Sequence, residues 1–485
     1  MSVPARLAPS GALPAARDEL AGAIDRAAGA RPIGGNRLEH HPDSPRALEA
    51  MLELIAGAER WVHLENYIIR DDRTGRRFAE ALTDRARAGV AVRVLYDALG
   101  SFGTSRRYWR QLTHAGVEVR AFHPLVSRHL FSLVSRDHRK LLVTDGTRAM
   151  LGGLCISDEW AGDPARQRRP WRDTMVAVCG PATSALDQVF GRIWRHAGGA
   201  LPPEQPAADP EPCGTSTARI VEGVPGRARV YRTVELLAAT ASERLWITDA
   251  YLIPPPSLYA SLVDAAKAGV DVRLLVPGTS DLPVLRNFTR VGYRNLLRAG
   301  VRVFEYQGPM IHAKTMLVDR RWARVGSSNL NVSSLLTNYE LDLVAECEEL
   351  TAELTAQFRR DLASSHEIVL QPRRVPLPPR LVGAPALGGG GGGGGAGAPE
   401  PPEAPHKRSG YELSAIAVVA LRRVAGGLRR AIAATAALTF LTLGGLLLAF
   451  PRVMSVVLAT GAFVLALGIG VYAVERRRSQ ETDDG

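Results

Sequence analysis

The sequence predicts a duplicated α/β body followed by a membrane-crossing helical hairpin. Three observations point there: strand-like runs and helices recur in the same order in two halves, one spaced triplet of polar residues occurs once per half, and two long uncharged apolar runs lie near the C-terminus. A length of 485 residues accommodates two domains and appendages. With 22% charged and 46% hydrophobic residues, the composition is that of a globular chain and excludes wholesale disorder. The formal net charge of +11 favours an anionic partner, whether nucleic acid, an acidic membrane surface or a phosphate-bearing substrate, and does not choose among them.

Residues 1–34 read as a flexible N-terminal segment, rich in Ala and Pro and lacking the continuous apolar core of a signal peptide. A first domain over 35–201 opens with a strand-like run from Trp61 to Ile69. A helix ending at Arg87-Ala88-Gly89-Val90 and a buried-type strand from Val92 to Tyr96 follow. The Pro- and Glu-containing stretch 202–214 is the connector. A second domain over 215–370 repeats the order with Leu245 to Tyr251, a helix ending at Lys267-Ala268-Gly269-Val270, and Val272 to Val276. A further Ala-Gly-Val turn recurs at Ala115-Gly116-Val117 and Ala299-Gly300-Val301, where glycine suits the left-handed residue that ends a helix. Alternation of helices with short apolar strands indicates covered α/β sheets. The four cysteines, Cys155, Cys179, Cys213 and Cys347, are far apart in sequence, which suggests reduced thiols and neither a disulfide framework nor a zinc site.

From 371 to 410 the composition turns to Pro and Gly, with an unbroken run from Gly388 to Gly395, the signature of a flexible linker. Residues 411–430 place Arg422, Arg423, Arg429 and Arg430 on one helical face, a basic juxtamembrane helix. The runs 431–450 and 453–474 carry no charge, and at a rise of about 1.5 Å per residue each can cross a hydrocarbon core of about 30 Å. Arginines flank both outer ends, while the turn between the runs has only Arg452. The positive-inside rule therefore expects both ends, the 475–485 tail and the catalytic body on the cytoplasmic face of the cell membrane.

The triplets are His138-x-Lys140-x4-Asp145 and His312-x-Lys314-x4-Asp319. One His-x-Lys pair means little, but identical spacing in each half is what a two-part phosphodiester site requires. A phosphodiester repels nucleophiles and releases a poor leaving group. One imidazole can attack phosphorus to give a phosphohistidine while the other protonates the departing oxygen. A lysine two residues along a strand projects to the same face and can neutralise the non-bridging oxygens. Two lysines make a metal unnecessary for charge neutralisation, so the expected site contains no metal and no cofactor. Asp145 and Asp319 either order the site or cap the turn after each motif strand. Glu65 either orients a histidine or is an ordinary strand carboxylate, and Asp173 and Glu340 pose the same choice. Ser327 and Asn329 can donate hydrogen bonds to a phosphate or simply form the turn in which they lie.

These triplets resemble those of the phospholipase D superfamily, and the wider sequence from about Gly35 to Leu370 resembles its bacterial cardiolipin synthases. Supporting segments include Gly35 to Glu39, His63 to Tyr67, Asp97 to Phe102, Trp171 to Asp173, Pro277 to Asp281, Gly326 to Asn329, and Asn338 to Glu340. The resemblance implies two α-β-α sandwich halves with the active site at their interface. It also implies His138, Lys140, Asp145, His312, Lys314 and Asp319 as catalytic residues, with His138 as nucleophile because the N-terminal copy usually attacks. The implied reaction is phosphatidyl transfer from a phospholipid to an alcohol such as phosphatidylglycerol. Anionic phospholipids and the membrane surface are the expected partners, nucleic acid is not, and a monomer suffices for one complete site. Two departures stand out. Cys155 occupies a place where the family commonly has Asn, and no arginine follows Asn329 where many relatives have one. A hydrolase that resolves the intermediate with water, a nuclease, and a catalytically idle membrane scaffold are the competing readings.

Overall fold

The computed structural model describes residues 14–124, 135–202, 205 and 210–370. The expected linker, basic helix, two membrane spans and tail over 371–485 lie outside the described residues. Among the described residues no helix is long and apolar enough to cross a membrane.

Fifteen strands form one sheet in the order β15-β11-β10-β9-β12-β13-β14-β8-β1-β7-β6-β5-β2-β3-β4. In the first half these are β1 (Ile33–His41), β2 (Trp61–Asn66), β3 (Ala91–Asp97), β4 (Glu118–Phe122), β5 (Lys140–Thr144), β6 (Arg148–Gly152) and β7 (Met175–Cys179). The second half contributes β8 (Ser216–Gly223), β9 (Arg244–Thr248), β10 (Asp271–Pro277), β11 (Arg302–Tyr306), β12 (Thr315–Val318), β13 (Trp322–Gly326), β14 (Glu340–Glu346) and the edge strand β15 (Ser365–Ile368). From the antiparallel β1–β8 junction outward, both halves run through the same series, ending in a parallel trio (β2-β3-β4 and β9-β10-β11). The duplication read from the sequence is therefore a pseudo-two-fold arrangement of the backbone.

Helices α1 (Pro14–Ala28), α2 (Ser44–Ala56), α3 (Arg73–Arg87), α4 (Arg106–His114), α5 (Asp158–Ala161) and α6 (Ala182–His196) belong to the first half of the chain. The rest are α7 (Arg229–Ala239), α8 (Pro256–Lys267), α9 (Pro283–Arg298) and α10 (Glu348–Ala363). The turns after α3, α4, α8 and α9 place Gly89, Gly116, Gly269 and Gly300 at φ of 89°, 94°, 93° and 97°, as the Ala-Gly-Val repeats predict. Each half has an apolar cluster largely its own, and the two halves share a third. The shared cluster takes in Leu141 and Val143 of β5, Leu317 of β12, Phe190 and Trp194 of α6, and Leu354 and Phe358 of α10. Helix α6 packs against β8, and α10 against β1, so each half covers part of the other's sheet.

Two expectations need correction. The segment 1–34 is not wholly flexible: α1 spans Pro14–Ala28, buries Ile24 and Ala28 among Val230, Val234 and Leu237 of α7, and pairs Asp25 with Arg219. Leu20, Ala21, Ile24 and Ala28 form an apolar stripe that the Ala/Pro-rich composition conceals. The cysteines are not all free either. Cys179 at the end of β7 and Cys213 in the connector form a disulfide, Cα to Cα 6.2 Å. Their separation of 34 residues gave no hint, because the connector folds back on β1, where the Cys213 N–H donates to Gly35 O at 2.9 Å.

Each motif strand ends in a tight turn at its aspartate, which adopts positive φ, 56° at Asp145 and 52° at Asp319. The Asp145 carboxylate accepts from the N–H groups of Glu59, Arg60 and Trp61 at 3.0, 2.7 and 2.9 Å. Asp319 does the same for Ser242, Glu243 and Arg244. Each aspartate thus ties the motif hairpin to the loop that starts the neighbouring antiparallel strand, β2 or β9. Asp145→Ala removes three acceptor contacts and a residue tolerant of left-handed backbone. It is expected to cost about 2 kcal/mol of stability in chemical denaturation, with turnover per folded molecule kept within about twofold.

Candidate active site

The histidines precede their strands, and both are held across the seam between the halves. The His138 N–H donates to Tyr339 O at 2.9 Å, and the His312 N–H donates to Arg172 O at 2.7 Å. Short bridges, Asp137 with Tyr339 and Ile311 with Arg172, complete the exchange. Neither motif segment is positioned by its own half alone.

The side chains repeat this crossing. His138 Nδ1 lies 3.1 Å from Glu340 Oε2 of the second half, and His312 Nδ1 lies 2.7 Å from Asp173 Oδ2 of the first. A carboxylate at Nδ1 fixes the proton there and leaves Nε2 as the reactive atom. The carboxylates are themselves anchored. Glu340 accepts hydrogen bonds from the Ser327 and Ser334 hydroxyls. Asp173 accepts from Trp160 Nε1 at 2.8 Å and from the Thr174 N–H at 2.8 Å. Gly153 is required beside it, because a Cβ there would stand 2.3 Å from Asp173 Oδ1.

Both lysines are buried at the same place. Lys140 Nζ donates to His138 O at 2.6 Å, and Lys314 Nζ, which donates to His312 O, also lies 3.0 Å from both His312 Nδ1 and Nε2. Tyr67 meets the His138 ring edge-on with centroids 4.9 Å apart, and Tyr251 does so at His312 at 5.9 Å. The two tyrosine faces look toward the lysines, Lys140 Nζ 5.0 Å from the Tyr67 centroid and Lys314 Nζ 5.9 Å from that of Tyr251.

Burial dominates the electrostatics. It pushes His312 down to about 3, with Lys314 adding to the effect and Asp173 opposing it. His138 is lowered for the same first reason, against the pull of Glu340. Burial alone would raise Asp173, but His312 and Lys314 outweigh it and hold the carboxyl at about 2. Glu340 is likewise held low, its burial overcome by His138 and Lys140. Burial also brings Lys314 down to about 8, despite the nearby carboxylates of Asp173 and Asp249. At neutral pH both imidazoles are neutral and both carboxylates ionised. Lys314 remains a cation that is ready to lose its proton just above neutrality.

His138, Lys140, His312, Lys314 and Glu340 converge here. Asp145 and Asp319 do not; they lie past the far ends of β5 and β12, against the loops described above. Glu65 is also not at the site. It is paired in register with Leu141, whereas Asn66 is paired with Lys140, so Glu65 projects from the opposite face of the sheet. There it faces Arg139 at 4.0 Å, and burial together with Asp137 raises its carboxyl. Ser327 acts through Glu340. Asn329 is buried, and its Oδ1 has no hydrogen-bond partner among the described residues. Its counterpart Cys155 is buried near both lysines, and burial pushes its thiol up. Sequence reasoning passed over Tyr67, Tyr251 and Trp160. The recurrence of a tyrosine just after the first strand of each parallel trio, Tyr67 after β2 and Tyr251 after β9, was the available signal. Among the described residues no group of three or more His, Cys, Asp or Glu side chains is arranged to hold a metal ion.

Two His–Lys pairs and two exchanged carboxylates at the seam of a duplicated α/β sheet define a phosphodiester-processing enzyme of the phospholipase D superfamily. The family described as "Cardiolipin synthase, PLD-like domain" matches residues 51–194 and 235–362, and the chain belongs to it. It is a cardiolipin synthase-like phosphatidyltransferase by that membership and by its relatives. It is 35% identical over 350 residues to cardiolipin synthase A of Pseudomonas aeruginosa (strain LESB58), covering 70% of each chain. Against the cardiolipin synthase of Halalkalibacterium halodurans it is 35% identical over 333 residues, covering 67% of this chain and 66% of that one. The fold is also that of phosphatidylserine synthase from Haemophilus influenzae Rd KW20, at a TM-score of 0.57 and 14% identity, over 72% of this chain and 92% of that one.

The Lys314 cation sets the alkaline behaviour. A group pulled down to about 8 is charged below that pH and loses its charge as pH rises through it. Turnover is therefore expected to fall on an alkaline limb centred near pH 8 in a stopped pH–rate series. Lys314→Arg, slower overall because a planar fork replaces a point charge, should shift that limb upward.

Proposed function

We propose that His138 is the nucleophile, His312 the general acid and base, and phosphatidylglycerol both donor and acceptor. The observation that supports the division of roles is the placement of the lysines. Both lysines donate to the backbone carbonyl of their own histidine, but Lys314 also lies 3.0 Å from both ring nitrogens of His312, whereas among the described residues His138 Nε2 carries no hydrogen bond. His138 thus presents a free lone pair, with its Nδ1–H held by Glu340.

In the first step His138 Nε2 forms a bond to phosphorus as the P–O bond to the headgroup glycerol breaks. An arriving phosphodiester anion draws Lys314 away from His312 Nε2 and raises the proton affinity of that imidazole. His312, protonated at Nε2 by water on the first turnover and by the acceptor hydroxyl of the preceding one thereafter, donates to the leaving alkoxide, and glycerol departs. In the second step neutral His312 takes the proton from the primary hydroxyl of a second phosphatidylglycerol. That oxygen attacks phosphorus, the P–N bond breaks, and His138 is restored with cardiolipin as product. Lys140 and Lys314 carry the charge that builds on the non-bridging oxygens. An anchor formed by the two apolar runs at 431–450 and 453–474 would keep the site at the surface where both lipids reside, with the body facing the cytoplasm.

Lipid analysis of a cardiolipin-deficient bacterial host tests the reaction. Cardiolipin is expected with the intact chain and not with His138→Ala; phosphatidic acid in its place means that water resolves the intermediate. The roles of the histidines are tested by mass spectrometry of chain incubated with phosphatidylglycerol. The His312→Ala variant should accumulate a phosphatidyl adduct on His138, and His138→Ala should form none. An adduct on His312 in the His138→Ala variant reverses the assignment.

A further inference from the structure

Eight large apolar side chains are strongly exposed among the described residues, and six of them lie in three short segments around the mouth of the site. Leu99 and Phe102 are in the turn after β3, Leu282, Phe288 and Val291 at the start and middle of α9, and Val332 in the loop after Asn329. Phe102 is 74% exposed, Phe288 62% and Val291 71%. The other two, Val369 and Leu370, simply end the described body.

Each segment is tied to one of the tyrosines that flank the catalytic imidazoles. The Ser101 hydroxyl donates to Tyr67 O at 3.2 Å, and Gly100 lies so close that a Cβ would be 2.2 Å from the same oxygen. The Tyr251 hydroxyl donates to Asp281 at 2.8 Å, one residue before Leu282. Asn331, one residue before Val332, donates from Nδ2 to Tyr251 O at 3.2 Å. The exposed apolar groups are therefore fixed relative to His138 and His312 and are not scattered over the surface.

The charge around them has one sign. Residues 98–114 contain Arg106, Arg107 and Arg110 and no carboxylate. Residues 278–298 contain Arg286, Arg290, Arg294 and Arg298 against the single carboxylate of Asp281, which Tyr251 occupies. Arg106, Arg110, Arg294 and Arg298 are exposed and in no ion pair among the described residues. On α9, Phe288, Val291 and Arg298 share one helical face, with Arg294 at its edge. Exposed phenyl and aliphatic groups next to unpaired guanidinium groups match a surface whose interior is apolar and whose headgroups are anionic.

We propose that these three segments dock the catalytic body onto an anionic bilayer leaflet, with Phe102, Leu282, Phe288 and Val291 entering below the headgroups and the arginines lying among them. The inference rests on the phospholipid reading of the site and adds how the site reaches its substrate. Drawing a two-chain lipid fully into water costs about 0.8 kcal/mol per CH2, so a site that meets the headgroup at the interface avoids most of that cost. The known chemistry of the site does not by itself require any surface of this kind outside the histidine and lysine cluster.

The test reconstitutes the full chain in liposomes of phosphatidylglycerol and phosphatidylcholine with bromine on the acyl chains. Bimane is attached at Phe102→Cys or at Val291→Cys, with Ala356→Cys on α10 as the reference position and the labelled wild-type chain as blank. Strong quenching at 102 and 291 but not at 356 is expected, and quenching should weaken when phosphatidylglycerol is omitted. Equal quenching at all three positions, or none, overturns the proposal. A blue-shifted but unquenched probe at 291 indicates a protein partner or a second copy and overturns it as well. In parallel, the Phe102→Ser/Phe288→Ser double variant should lose about tenfold or more in turnover of vesicle lipid, while turnover of monomeric short-chain phosphatidylglycerol stays unchanged. Equal rates for wild type and variant on vesicles overturn the docking role and leave the transferase reading intact. Quenching without lipid turnover by the wild type does the reverse.

Discussion

Each motif imidazole depends on a carboxylate supplied by the opposite half of the chain. His138 belongs to the first half and is held by Glu340 of the second; His312 belongs to the second and is held by Asp173 of the first. This one exchange explains why the halves share a sheet across β1 and β8, why α6 and α10 cover each other's strands, and why Arg172 reaches Asp361 at 2.9 Å beside the site. A half that separated would leave a histidine without its orienting acceptor and a carboxylate with only the neutral donors of its own half. The seam cannot open without dismantling the site.

Burying two lysines, two histidines and two carboxylates in one place is tolerable only because they compensate one another. At neutral pH the ionised carboxylates of Asp173 and Glu340 face the buried lysines, and the imidazoles remain neutral. The arrangement is poised: an incoming phosphodiester adds one negative charge to a cluster whose lysines are already stripped of water and held against backbone carbonyls. Their reorientation toward phosphate exchanges a neutral acceptor for an anionic one, which is worth far more in a low-dielectric site than in water. The cluster is therefore organised for the anion before the anion arrives.

Much of this was legible in the sequence, and the limits of that reading have physical causes. The triplet spacing identified the histidines and lysines because residues two apart on a strand share a face. The same alternation removes Glu65, which the sequence placed in strand β2 but whose facing depends on the register with β5. The motif aspartates were inseparable from the catalytic residues by spacing alone. Only the three-dimensional hairpin shows Asp145 and Asp319 capping loops at the other end of their strands. Partners from distant sequence, such as Trp160 with Asp173 or Cys179 with Cys213, become visible only once the chain closes on itself.

The two halves are alike in backbone but not in chemistry, and that difference gives each histidine its own surroundings. In the first half Gly153 leaves room for the short carboxylate of Asp173, and Cys155 stands where the second half has Asn329. In the second half Ser327 replaces that glycine, and together with Ser334 it binds the longer Glu340, drawing it toward His138. Asp173 is anchored instead by Trp160 and the Thr174 N–H, so each carboxylate is fixed by donors of its own half before it meets the histidine of the other. A symmetric duplication would have made two equivalent imidazole sites; these few substitutions along the seam make them chemically distinct.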